Sequence, residues 1–158
     1  MPSSQALGVL FGHSLASSTI AAADELIAAI AQPNASLTLV SCSPDHDLAV
    51  LGPLLDAGLS GTVIGCTTAG ESSSLQGHAT GSLVGVSVAS PHLLAYAQLI
   101  TPLAEMTPAD AKTIATELHE QRRMPDAECF SLLLIDGMST LEETVTAFLH
   151  THLRVPLI

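Results

Sequence analysis

The run Gly65-Cys66-Thr67-Thr68-Ala69-Gly70-Glu71 holds the densest chemistry in the chain. Two glycines bracket a thiol and two hydroxyls, and a carboxylate follows. Such a backbone can approach a ligand closely while Thr67 and Thr68 donate hydrogen bonds. It is not a phosphate loop, because the Gly-Lys-Ser/Thr ending is missing and no helical pattern follows to lend its N-terminus. A dinucleotide fingerprint is excluded for the same reason. Three other short segments offer similar groups: Gly12-His13-Ser14, Ser43-Pro44-Asp45-His46 and Asp136-Gly137-Met138. Each alone is ordinary strand-end turn composition. Four on one edge would make a pocket for a small polar ligand.

Catalytic patterns are sparse. No G-x-S-x-G run places a serine on a strained elbow. Cys66 beside a Gly-rich turn could act as a nucleophile, and Asp136 could act as a base. An inert strand-end cysteine and an ordinary Asp-Gly turn account for both more simply. The expectation is therefore a binding domain and not an enzyme. The chain has seven histidines, none in C-x-x-C-H or H-E-x-x-H spacing, and no metal site is expected. His78, in a polar loop, and His13, at a strand end, are the best placed to serve as axial ligands if haem is the cofactor.

These groups must be positioned by a chain of 158 residues, 47% of them apolar and 12% charged, which suits a single folded domain with a real core. Fifteen acidic against four basic side chains give a net charge of −11. That sign is wrong for a phosphate backbone or an anionic membrane surface, and 3% aromatic residues leave few rings for stacking bases. No apolar run is long enough for a spanning helix, and no basic segment precedes the first apolar stretch as in a signal peptide. Three widely spaced cysteines, Cys42, Cys66 and Cys129, suit reduced thiols in the cytoplasm.

Along the chain, strands are expected at residues 6–11, 36–42 and 62–66, with helices between them. The first helix follows the cap Ser17-Ser18-Thr19, with Ile20, Ala23, Ile27 and Ile30 on one face. The second opens at Ser43-Pro44, with Ser43 as cap and Leu48, Leu51, Leu55 and Leu59 as its stripe. After Glu71 the pattern changes to a polar loop. A strand at 82–89 follows, whose valines alternate with small residues, so that something must pack closely on the small face. A turn at Ser90-Pro91 then predicts an antiparallel hairpin with residues 92–100. Thr107-Pro108-Ala109-Asp110 opens a third helix, and residues 129–135 form a sixth strand. Ser139 and Glu142 make a capping box for a fourth helix. The fold class is α/β: a mainly parallel sheet flanked by helices with an antiparallel hairpin insertion. In such sheets, ligands bind beyond the carboxyl ends of the strands. The apolar stretch 154–158 ends without a turn, which predicts a domain cut short at its C-terminal end. An unpaired last strand of this kind could be satisfied by a second copy in a homodimer.

The heptapeptide from Gly65 to Glu71 resembles the G-C-S/T-T-A-G-E run of the FIST family, the F-box and intracellular signal transduction domain. Ser43-Pro44 with Asp45, Asp47 and Leu48 is similar to the family's S-P-x-x-D-L segment. Gly81-Ser82-Leu83-Val84 resembles the strand after its motif, and Asp136-Gly137-Met138-Ser139 its D-G-x-S/T turn. Ser72-Ser73-Ser74 departs from the more Gly-rich continuation of the family. The resemblance implies an intracellular sensory domain, residues 1–158 being its N-terminal part, that binds a small ligand such as an amino acid for signal transduction. It also implies an alternative, a haem-based nitric-oxide sensor regulating a histidine kinase, beside the enzyme reading on Cys66 or Asp136; in the family the chain runs on into a G-G-S-A-G-D segment that would complete the domain. On the small-ligand reading the site would draw on the heptapeptide, Ser43, Asp45, His13, Asp136 and Gly137; on the haem reading, on His78 or His13.

Overall fold

A computed structural model describes residues 7–73, 77–122 and 128–158, except for the side chains of residues 72, 73 and 78. The chain divides into two compact units, Met1–Ala97 and Gln98–Ile158.

In the first unit, β1 (Gly8–Ser14), α1 (Thr19–Ile30), β2 (Ala35–Cys42), α2 (Leu48–Gly58) and β3 (Thr62–Thr67) follow the expected alternation. A small hairpin of β4 (Glu71–Ser73) and β5 (Gly77–Ala79) then leads into β6 (Leu83–Ala89). The four-stranded sheet has the order β1-β6-β2-β3. β6 is antiparallel to both β1 and β2, while β2 and β3 are parallel. The sheet is thus mixed and mostly antiparallel, which corrects the expected mainly parallel arrangement. The cause is the link from β3 to β6. A parallel return needs a long crossover, usually a helix; here a hairpin brings the chain back in the opposite direction. The predicted hairpin partner, residues 92–100, forms no strand, because β1 and β2 already occupy both edges of β6.

Close packing on the small face of β6 is observed. A Cβ on Gly85 would lie 2.9 Å from Ile30 Cδ1, and one on Gly12 of β1 would lie 2.8 Å from both Ala29 Cβ and Ile30 Cγ2. α1 therefore lies almost directly on the backbones of β1 and β6. Ala22, Ala23, Leu26 and Ile30 are its buried face, whereas Ile20 is exposed. The second helix starts later than expected. Asp47, not Ser43, is its cap, with Oδ1 accepting from Ala49 N at 2.9 Å. Ser43 is diverted into its own turn: its Oγ accepts from Asp45 N and donates to Asp45 Oδ2. Leu51, Leu55 and Leu59 are buried as predicted, and Leu48 is not.

In the second unit, α3 (Pro108–Gln121) and α4 (Glu142–Leu153) pack through Ala111, Ala115, Val145, Leu149 and Leu153. The Thr107–Asp110 capping box is present. His119 lies within hydrogen-bond distance of the Leu153 carbonyl, Nε2 to O 2.7 Å, and so reaches an orphan acceptor at the end of α4. The box expected at Ser139 and Glu142 does not form. Ser139 Oγ accepts from Leu141 N instead, and the N-cap Leu141 has no side-chain bond. The predicted sixth strand is reduced to a parallel bridge between Ser131 and Leu157, reinforced by Leu133 N donating to Ile158 O at 2.9 Å. The last residues therefore have a partner inside this unit. Among the described residues, no helix is long and apolar enough to cross a membrane.

Candidate functional site

Because β6 is inserted between β1 and β2 in the opposite sense, β1, β2 and β3 still point the same way. Their register aligns Ser14, Leu83, Cys42 and Thr67 across the sheet. The loops after β1, β2 and β3 and the turn before β6 consequently share one rim. Three of the four predicted segments are brought together there: His13-Ser14, Ser43 to His46, and Gly65 to Glu71. Asp136 and Gly137 belong to the second unit. There Asp136 Oδ1 accepts from Met138 N at 2.9 Å, and its carbonyl accepts from Ser139 N, which is an ordinary Asx turn.

The rim is sewn together by its own polar groups. Ser43 N donates to Ser82 O and Thr68 N donates to Cys42 O, both at 2.9 Å. Glu71 lies at the centre, 3% exposed. Its Oε1 accepts from Thr68 Oγ1 at 2.5 Å, and its Oε2 accepts from Ser82 Oγ at 2.5 Å and Ser82 N at 3.3 Å. Burial alone would raise its pKa. The hydrogen bonds from Ser82 and Thr68 outweigh that and hold the carboxyl below its ordinary value. Glu71 is thus a clasp that closes the Thr68–Gly70 turn onto β6, and its oxygens are turned inward. No local spacing rule links Ser82 to Glu71, because eleven residues separate the two. Ser14 plays a similar part beside α1, donating to Glu25 Oε2 at 2.5 Å.

His46 is buried at the same rim, and neither ring nitrogen has a hydrogen-bond partner among the described residues. His13, half-buried, borders with Glu71 and Ser82 a crevice of about 10 Å³. That is room for about one water and not for a porphyrin, so His13 as placed does not fit a haem site. The His78 side chain lies outside the described ones. Among the described residues, no group of three His, Cys, Asp or Glu side chains is arranged to hold a metal.

A larger cavity of about 330 Å³ opens beside the heptapeptide, between α2 and the β2–β3 edge. Gly65, Cys66 and Thr67 form its β3 wall, and Leu48, Leu51 and Leu55 line it from α2. Thr68, Ala69, Gly70 and Glu71 do not reach it. Cys42 sits at its inner end, where burial, Glu71 and Cys66 push the thiol up. Cys42 should therefore resist alkylation in the folded protein, while half-buried Cys66 reacts. Mass-spectrometric mapping after brief iodoacetamide treatment at neutral pH checks this. Equal labelling of both would mean that Cys42 is not sheltered.

With this geometry in view, comparison with protein families matches residues 36–158 to the FIST N domain. The chain belongs to the FIST family. The match takes in β2, β3, the heptapeptide and β6, which build the rim together with β1 outside it. The family is associated with sensing in signal transduction. No curated protein matches the chain. Within this FIST domain the sequence distributes charge unevenly: residues 1–97 contain six carboxylates and no lysine or arginine, and all four basic side chains follow residue 97.

Proposed function

We propose that this FIST domain is a non-enzymatic sensory module that binds a small metabolite and reports its occupancy to a downstream signalling protein in the cytoplasm. The observation that carries the reading is the cavity of about 330 Å³ walled by Gly65, Cys66 and Thr67. Its size falls at the low end of the range for small-molecule sites, about 300–1,000 Å³. Binding is favoured over turnover because two of the ionisable groups beside the cavity, Glu71 and Cys42, are not available for proton transfer or attack. Both Glu71 oxygens hold the loop's own hydroxyls, and burial keeps the Cys42 thiol protonated.

Differential scanning of the protein against a panel of amino acids, amines and other small metabolites tests the reading. A true ligand at one hundred times its Kd adds about 2.7 kcal/mol of stability and raises Tm accordingly. The shift should disappear in Gly52→Leu, which fills the cavity from α2. If no compound moves Tm, or if the shift survives in Gly52→Leu, the cavity is not the receptor site.

A further inference from the structure

The cavity lies where two elements that line it, α2 and β3, each carry an exposed glycine, Gly52 and Gly65. A Cβ on Gly52 of α2 would meet nothing within 4 Å, so that helix position opens onto empty space. Opposite it, Gly65 leaves the β2 backbone bare: a Cβ there would lie 2.7 Å from the Val40 carbonyl oxygen. The walls between them are aliphatic, supplied by Leu51 and Leu55 on one side and Val40 and Val63 on the other. Polar character is confined to Thr67, the two thiols and one carboxylate, Asp56, on the exposed side of α2.

Charge then selects the ligand. Asp56 is the lining's only carboxylate, and no cationic side chain lines the cavity. No lysine or arginine occurs anywhere in residues 1–97. An anionic ligand would sit beside Asp56 in the field of six carboxylates with nothing to compensate it. A free amino acid would meet the same difficulty at its carboxylate. A cation with an alkyl body meets no such obstacle, because its methylenes match the leucine wall and its charge matches Asp56.

We propose that this cavity binds a primary aliphatic amine, with the alkyl chain between α2 and β3 and the ammonium on Asp56. The proposal rests on the ligand-binding reading above and names the chemical class of its ligand. The ammonium donates to the Asp56 carboxylate, and the Thr67 hydroxyl is a further acceptor on the same lining. A chain of roughly six carbons suits a cavity at the low end of the small-molecule range.

Isothermal titration with n-hexylamine, n-hexanol and hexanoate, on the wild-type chain and on Gly52→Leu and Asp56→Asn, tests it. Hexylamine is expected to bind at least tenfold more tightly than hexanol, and hexanoate more weakly than either. Asp56→Asn, an exposed change that leaves the core untouched, should bring hexylamine and hexanol to similar affinities. Gly52→Leu should weaken hexylamine at least tenfold without lowering Tm. Hexanol binding as tightly as hexylamine, or hexanoate binding most tightly, overturns the amine assignment while the cavity remains a ligand site. Hexylamine binding that persists undiminished in Gly52→Leu reports only attraction to an acidic surface and overturns the proposal, as does a failure of all three probes to bind.

Discussion

Glu71→Ala is expected to destabilise the first unit by about 3–5 kcal/mol, measured by urea unfolding at pH 7. The carboxylate is buried and accepts three hydrogen bonds. A hydrogen bond to a charged group contributes about 1.5–3 kcal/mol, and buried donors left without an acceptor add their desolvation cost. Truncation would strand the Ser82 hydroxyl and amide and the Thr68 hydroxyl together, and the turn from Thr68 to Gly70 would lose its attachment to β6. Glu71→Gln separates charge from shape. It keeps one acceptor oxygen but presents an amide N–H₂ to donors, so about half the loss is expected. The pH dependence has a definite sign. The Glu71 carboxyl titrates below its ordinary value of 4.5 in the folded protein. Its contribution is therefore complete above about pH 4.5 and is lost as the pH falls through the lower folded-state value. Wild type should lose its advantage over Glu71→Gln only in that acid window. An alanine variant within about 0.5 kcal/mol of wild type would show that the clasp does not hold the rim.

Gly61→Ala tests the positioning of β3 and should cost at least about 3 kcal/mol, or prevent folding. Gly61 has φ 77°, and a Cβ there would lie 2.1 Å from the Ala35 carbonyl oxygen and 2.9 Å from the Ala35 carbonyl carbon. The left-handed conformation by itself costs an alanine about 1–2 kcal/mol. The clash adds to this, and it is with main chain, which no rotamer change relieves. Gly77→Ala is the matched control. Its φ of 74° is nearly the same, but a Cβ would meet nothing within 4 Å, so only the conformational cost of about 1–2 kcal/mol applies. Similar unfolding midpoints for the two variants would mean that the approach of Gly61 to Ala35 is not what seats β3. Because β3 carries Gly65, Cys66 and Thr67, a milder Gly61 variant that still folds should also lose ligand affinity.

Local patterns in the chain carry a good deal of this FIST domain. The βαβαβ order from β1 to β3, the Thr107–Asp110 capping box and the close packing on the small face of β6 follow from short-range chemistry. Alternation, cap residues and steric size act within a few residues, so a linear reading captures them. Gly65 to Thr67 of the heptapeptide also wall the cavity. Acidic composition, with every basic side chain beyond residue 97, is likewise a property of the sequence itself.

Other features depend on competition between distant segments. Residues 92–100 have the composition of a strand, but β6 has no free edge to offer them once β1 and β2 are paired. Ser43 has the chemistry of a cap, yet its hydroxyl is taken by Asp45, and Asp47 starts the helix. Glu71 reads as a ligand contact until Ser82, brought close only by the return through β4 and β5, claims its oxygen. The cavity is likewise a tertiary product, because Gly52 and Gly65 become an opening only when α2 is laid against β3. Residue types determined which chemistry was present along the chain. Which groups bond to each other and which line the cavity was decided by strand pairing and helix packing, since these interactions depend on distance in space and not on separation along the sequence.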